Sequence, residues 1–575
     1  MDSIFGKTLG RSSSVFFIVL PLILSAYIHL WNPIGFPAVW VVEGQYMQRA
    51  MQVLEGEGLH EPQYIFAHFY DHPFFGQIFL AGMLAATGYP SSLSMPSSIS
   101  INSIEILYLV PRLFMGILAI IDTFLVYKIS EYRYNRNVAL IASILFAVMP
   151  ATWLLRKILL ESLLLPLLLS SILFALYYSG GRNESNPSTT VGYTKRNLDR
   201  KVKTRNNNTF LVLPMISGIF LGLAIFVKIP IITMIPLVGY LLLSRRRNKS
   251  WRTLWVWIIP VILIPMIWPI YAILVGDFDQ LSEDLTWNTQ RGDIQLDSAV
   301  SSILANSLKY IFQIDPVIFI LGIVGIIFSE IKRDVFILLW AIPIIVFLFL
   351  INFVSFFHFI PLLPLFCIAA AKMIIDLSNR IKNMKVRKII PFALISAIGI
   401  FGLVSTTMLI TSNVTSSYFK VYSFLVSYLA SQIGLDNHND LTDKDDDDKI
   451  TMVGRHWTQS FYWIPKYVLD VNLDFKKINR ADDIKGSINE KERSLIIVDR
   501  SMRKSFSSGK EISSKTETDT PSYFLTPIAT FNNDKPDYAY IYPYTSMSEN
   551  RDIRWVQIRE VNFSSRNLTS INLTK

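Results

Sequence analysis

The chain has 575 residues, 51% of them hydrophobic and 17% charged, with a formal net charge of +10. A soluble protein of this size does not carry so many apolar runs of membrane length. The positive charge sits in short loops between those runs and not along one stripe, so it speaks for membrane orientation and against nucleic acid. A single cysteine, Cys367, rules out an intramolecular disulfide.

Lys7 and Arg11 precede an apolar run from Val15 to Trp31, closed by Asn32-Pro33. The run is longer than a cleavable signal core and has no small-residue cleavage site, which predicts a retained first span with a cytoplasmic N-terminus. Residues 32–105 then read as the first external loop. Within it, residues 45–55 place Tyr46, Met47, Ala50, Met51 and Leu54 on one face and Gln45, Gln48, Arg49, Gln52 and Glu55 on the other, the pattern of a helix lying in the interface. Gly56 and Gly58 end it. A second helix, residues 73–86, is apolar but too short to span comfortably.

Ten further spans are expected: 106–129, 137–155, 162–178, 210–227, 229–243, 251–275, runs ending near 328 and 351, one starting near His358, and 389–410. The connections expected inside the cell are basic, as in Arg245-Arg246-Arg247-Asn248-Lys249. Those expected outside carry isolated cations. About eleven spans therefore leave the C-terminus outside.

Residues 411–575 contain no membrane-length run. Short β-rich pieces at 450–453, 494–499 and 538–542, with a helical pattern at 459–469, predict a small extracytoplasmic α/β domain. The resulting division is a transmembrane catalytic domain, 1–410, and an exterior domain, 411–575.

The chemistry-bearing residues gather on one side in this topology: Glu43, Asp71, His72, Arg112, Arg156, Lys157, Glu161, Lys228, Arg291 and His358 all fall at outer span ends or in outer loops. Ionisable groups beside apolar helices cost solvation energy when they face lipid. A cluster at one face suits an enzyme that takes a lipid-borne substrate from one leaflet. A transporter would place its ions nearer the midplane, often at broken helices in repeated halves. A lipid-linked-sugar flippase or transporter is nevertheless the alternative reading. Blander roles exist for individual residues. Glu43 could simply sit at a helix N-terminus, Asp71 could cap a helix ahead of Pro73, Glu161 could pair with Lys157 four residues back, Lys228 could snorkel to the interface, and Arg112 could form a structural pair with an acid.

An ordered set of motifs resembles the GT-C glycosyltransferases, in particular the branch of protein O-mannosyltransferases and lipid A aminoarabinose transferases. Val42-Glu43-Gly44-Gln45-Tyr46 resembles the acidic motif of the first loop. Tyr70-Asp71-His72-Pro73-Phe74 resembles the acid–His/Lys–Pro motif opening an interfacial helix. Val110-Pro111-Arg112-Leu113, the stretch from Arg156 to Glu161, the segment Leu221 to Lys228, and His358-Phe359-Ile360-Pro361 are similar to the later motifs, in the family's order. The resemblance covers roughly residues 15–375. No WWDYG-like motif occurs in the C-terminal part, where Trp457-Thr458-Gln459-Ser460 is not one, and this argues against an oligosaccharyltransferase.

The resemblance implies a GT-C fold and a sugar donor on a dolichyl or undecaprenyl phosphate. It also implies transfer outside the cytoplasm, with inversion, of a mannose-like hexose or other sugar to a protein, lipid or glycan acceptor. Glu43, Asp71 and Glu161 are then the expected catalytic acids. His72, Arg112, Arg156, Lys228, Arg291 and His358 are the expected contacts to substrate and phosphate. No metal is required by the pattern, and a divalent ion at Asp71 and His72 is the candidate cofactor.

Overall fold

The structure, a computed structural model, describes residues 17–56, 70–93 apart from 71, 101–180, 207–244, 251–290, 312–350, 355–433 and parts of 305–311. In the C-terminal part it describes 450–502 with short interruptions, 523–532 and 555–563. The predicted strand at 538–542, Asp71 and Arg291 lie outside the described residues.

The chain is mostly helical. Among the described residues five helices are long and apolar enough to cross a membrane: Ser103–Arg133, Leu160–Ser179, Trp251–Val275, Phe356–Ser378 and Met384–Ile410. A sixth span arises if Arg136–Val148 and Pro150–Arg156 count as one. Shorter apolar helices stand at Phe17–Leu30, Leu211–Val227, Ile229–Leu243, Pro316–Ile331 and Val335–Leu348, each at a predicted span. The protein is a multi-pass membrane protein.

The third predicted span is not straight. Its two helical pieces meet at 67°. Pro150 cannot continue the helix and pushes the preceding Met149 into extended backbone (φ −68°, ψ 141°).

Two compact units emerge from the packing. One comprises Met1–Pro33, Leu59–Phe79 and Arg112–Met408; the other comprises Ile34–Gly58, Leu80–Pro111 and Leu409–Lys575.

In the first unit, small residues and serines bring helices together. Gly218 and Gly222, four apart on helix Asn207–Val227, face the backbone carbonyls of Trp257 and Pro260 on helix Trp251–Val275; a Cβ at either glycine would overlap them. Close backbone approach at a small-xxx-small pair is a strong source of helix association in lipid, where apolar burial supplies no drive. On another face of Asn207–Val227, Ser217 and Ser171 exchange hydrogen bonds with helix Leu160–Ser179. The Ser171 Oγ donates to the Ser217 carbonyl at 2.8 Å, and the Ser217 Oγ to the Ser171 carbonyl at 2.9 Å. Helix Leu160–Ser179 is thus fixed against Asn207–Val227, which sets the spacing of the groups at their ends.

In the second unit a five-stranded sheet has the order β2-β1-β3-β5-β4, with β1 Ile450–Gly454, β2 Leu473–Lys477, β3 Arg493–Asp499, β4 Tyr523–Asn532 and β5 Trp555–Phe563. β1 pairs in parallel with both β2 and β3, and β5 runs antiparallel to β3 and β4. All five residues of β1 are buried, as expected of a central parallel strand. Val453, Ile496, Val498, Ile478, Ile484 and Met502 form a core on it. Helix Trp463–Leu469 makes the crossover that the parallel β1–β2 pair demands. The predicted helical pattern of 459–469 thus starts later than expected. Helix Val41–Glu55 starts four residues before its expected beginning and ends at Gly56, whose φ of +77° only glycine adopts without strain.

Candidate active site

Helix Leu160–Ser179 begins after Leu159, which is extended (φ −116°, ψ 149°), so Glu161 falls in its first turn, where the helix dipole favours a carboxylate. Helix Asn207–Val227 ends at Lys228, because Pro230 two residues on cannot continue it. The packing of these two helices brings the two ends together. The Lys228 ammonium donates to Glu161 Oε1 in a buried ion pair, with side chains 5% and 3% exposed. The ammonium also lies 4.5 Å from the centre of the Phe357 ring, over its negative face.

Next to Phe357 is His358, whose ring centre lies 4.4 Å from that of Phe357. Its Nδ1 accepts the Ser355 N–H at 2.9 Å, so the neutral imidazole carries its proton on Nε2 and presents a donor. His72 is an electrostatic neighbour of His358. Glu161, Lys228 and His358 line an open pocket whose remaining wall is largely apolar, formed by residues such as Leu164, Ile231, Ile344 and Leu348, with Thr233 among them. Such a pocket brings one ammonium, one imidazole N–H and one carboxylate together against aliphatic side chains.

Arg112 and Arg156 are held differently. Both are fully buried. Arg112 Nη1 donates to the Pro33 carbonyl at 3.0 Å, and Arg156 Nη2 donates to the Trp31 carbonyl. The two guanidinium groups are electrostatic neighbours. They secure the carbonyls that follow the first apolar helix, where a positive charge is favoured.

Lys157, offered by the spacing as a partner for Glu161, lies over the Trp153 ring at 5.7 Å, and the ion pair to Glu161 comes from Lys228.

Around Tyr70, just ahead of Asp71, a clasp forms that sequence reasoning missed. The Tyr70 N–H donates to Asp284 Oδ2 at 2.7 Å and its hydroxyl to Asp277 Oδ2 at 3.1 Å. Burial first, and then the hydrogen bond to Asp277, raise the Tyr70 phenol above its ordinary pKa and keep it a donor. Phe74, Phe226, Trp268, Ala272 and Leu281 pack around it. The mixed acidic and apolar pattern of 277–284 was the only available signal.

Glu43 belongs to the second unit. It is fully buried, and its Oε2 accepts the Trp40 N–H at 2.8 Å. It sits in the first turn of helix Val41–Glu55. Among the described residues no three carboxylate, imidazole or thiolate groups form a metal-binding cluster.

The architecture is similar to that of the Archaeoglobus fulgidus oligosaccharyltransferase in its apo form, with a TM-score of 0.51 and 12% identity, covering 84% of this chain and 69% of that one. A likeness to ArnT from Cupriavidus metallidurans bound to undecaprenyl phosphate covers 96% of this chain and 98% of that one, at 12% identity and a TM-score of 0.47. The Saccharomyces cerevisiae Pmt1–Pmt2 protein O-mannosyltransferase complex gives a TM-score of 0.33 at 18% identity, over 47% of this chain and 34% of that one. The fold assignment rests on the first of these. No curated protein matches the chain by sequence. Residues 63–276 match the family model described as dolichyl-phosphate-mannose-protein mannosyltransferase. With its multi-pass helices, the chain is a membrane glycosyltransferase.

Proposed function

We propose that the protein transfers one sugar from a polyprenyl phosphate to an acceptor hydroxyl on the extracytoplasmic side, in a single inverting displacement. The observation that carries this reading is the pocket lined by a buried lysine, an imidazole N–H and largely aliphatic side chains. The acceptor oxygen attacks the anomeric carbon and gives its proton to a carboxylate, while the bond from that carbon to the phosphate oxygen breaks with its electron pair. The departing phosphate is already a stable anion. It needs positive charge and hydrogen-bond donors more than a general acid, unlike the alkoxide that leaves in glycoside hydrolysis.

Lys228 supplies the charge and His358 Nε2–H a donor, with His72 beside it. Glu161 holds the ammonium in place before the donor arrives. We assign Glu43 as the base for the acceptor on the strength of its first-loop motif. Arg112 and Arg156 act as structural posts in this scheme. Asp71 and Arg291 keep the roles that their motifs suggest, and a divalent ion at Asp71 and His72 is the cofactor to test.

The family match supports mannose on dolichyl phosphate as the first donor to try and protein as the first acceptor. The basic loops support catalysis on the opposite face from them. The test is to incubate membranes containing the protein with a panel of labelled polyprenyl-phosphate sugars, with and without chelator, and to follow which macromolecule gains label. Transfer that disappears with Glu43→Gln while the protein remains folded supports the reading. Label that crosses sealed vesicles without becoming attached to any acceptor overturns it in favour of a transporter.

A further inference from the structure

We propose that the turn at Thr458–Ser460 is a positioning element for the helix that carries Glu43, so that the C-terminal residues act in turnover through that helix. This deepens the proposed function and rests on the assignment of Glu43 as the base.

Gly44, the residue after Glu43, packs its backbone directly on Ser460: a Cβ built on Gly44 would overlap the Ser460 carbonyl, and backbone cannot move aside as a side-chain tip can. The same carbonyl accepts two further groups, the Tyr108 hydroxyl at 3.0 Å and the Trp463 indole N–H at 3.2 Å, which occupies both of its lone pairs. Two residues earlier, the Thr458 carbonyl accepts the Tyr422 hydroxyl at 2.7 Å. Phe461 then stacks on Tyr418 and Tyr422 and meets Tyr108 at 5.1 Å between ring centres. All of these groups are buried.

The far end of the helix is tied as well. The Tyr467 hydroxyl donates to Glu55 Oε1 at 2.5 Å. Ser460 and Tyr467 therefore hold helix Val41–Glu55 at its first turn and at its last. Buried carbonyls need donors wherever they occur; here three side-chain donors fix them at the point of closest approach to the acid-bearing turn. A base must be held to a fraction of an ångström to keep its geometry for proton removal. A rigid backbone contact does that better than flexible side chains.

The experiment uses the full chain in lipid nanodiscs, with Tyr108→Phe and Tyr422→Phe as the main variants, because Gly44→Ala risks failing to fold. Two readouts are taken: amide hydrogen exchange of residues 41–51, and mannose transfer from dolichyl phosphate to a serine- and threonine-containing peptide. Each lost hydrogen bond should speed exchange there by about fivefold. Turnover should fall while the donor KM stays constant, and Tyr108→Phe should add nothing further on a Glu43→Gln background. Unchanged exchange at 41–51 overturns the positioning role. So does faster exchange with wild-type turnover in a protein whose Glu43→Gln variant is dead. Should Glu43→Gln itself leave turnover intact, the base assignment falls and the coupling to turnover falls with it, whereas the exchange result separately decides whether the turn holds the helix.

Discussion

Two sets of buried cations stand in the first unit, and they are held in opposite ways. Lys228 is paired with a side-chain carboxylate and lines an open pocket. Arg112 and Arg156 donate to backbone carbonyls that follow the first helix. All three belong to motifs that resemble the same enzyme class, so the motif alone does not separate their roles. The partner does. A backbone carbonyl is a permanent fixture, so it fixes where the guanidinium sits whether or not an anion is present. An ammonium held by a carboxylate in a pocket wall still has N–H donors to turn toward an arriving anion while that carboxylate keeps it in place.

Replacing the pocket lysine should give the largest effect. Lys228→Met removes the charge that meets the leaving phosphate, and turnover of the folded protein should drop by about 10²–10³-fold. It also strands Glu161 in a buried site, which should cost roughly 3–5 kcal/mol of stability. The double variant Lys228→Met/Glu161→Gln should recover most of that stability in denaturant titrations and none of the activity. If the double variant regained turnover, Lys228 would be a structural partner like the arginines. Arg112→Met should show the reverse. Losing a charged hydrogen bond to the Pro33 carbonyl should cost about 1.5–3 kcal/mol, while the turnover of those molecules that remain folded stays within about threefold of wild type, well under the loss set for a group that meets transition-state charge. A collapse of activity at full stability would move Arg112 to the substrate.

Much of this contrast was visible in the residues, and the part that was not has identifiable causes. Lys228 and Glu161 announced themselves as charges at the ends of apolar runs. Their mutual pairing did not, because the neighbour rule for helices pointed Glu161 at Lys157. That rule needs a continuous helix, and between 157 and 161 there is none: Lys157 (φ −78°, ψ 152°) and Leu159 are extended. The bend at Met149-Pro150 was written in the proline but was overridden by the long apolar run around it. In the sheet, β1 and β3 were legible as compact apolar strings. β4 was not, because Pro527 interrupts its pattern, at a register shift against β5 where a proline is tolerated. β2 carries charges along a half-exposed edge and reads as loop. The Tyr70 clasp joins residues more than two hundred positions apart, a distance at which local pattern is silent.

The smallest effects sharpen the same lesson about partners, on a pair of buried serines. Ser171 donates to the Ser217 carbonyl and stands 3.2 Å from the Ser217 hydroxyl, inside helices where no water replaces a lost bond. Ser171→Ala should cost about 0.6 kcal/mol, the average for such bonds in membrane helices. Ser460 is buried too, yet its hydroxyl has no hydrogen-bond partner among the described residues, and its contribution comes entirely from the backbone carbonyl. Ser460→Ala keeps that carbonyl and removes an unsatisfied polar group, so its stability should be equal to wild type or up to about 1 kcal/mol higher. A loss above about 1 kcal/mol, the usual worth of a made hydrogen bond, would mean that the Ser460 hydroxyl is bonded after all, and the Thr458–Ser460 turn would then be held by a side chain as well as by its carbonyls.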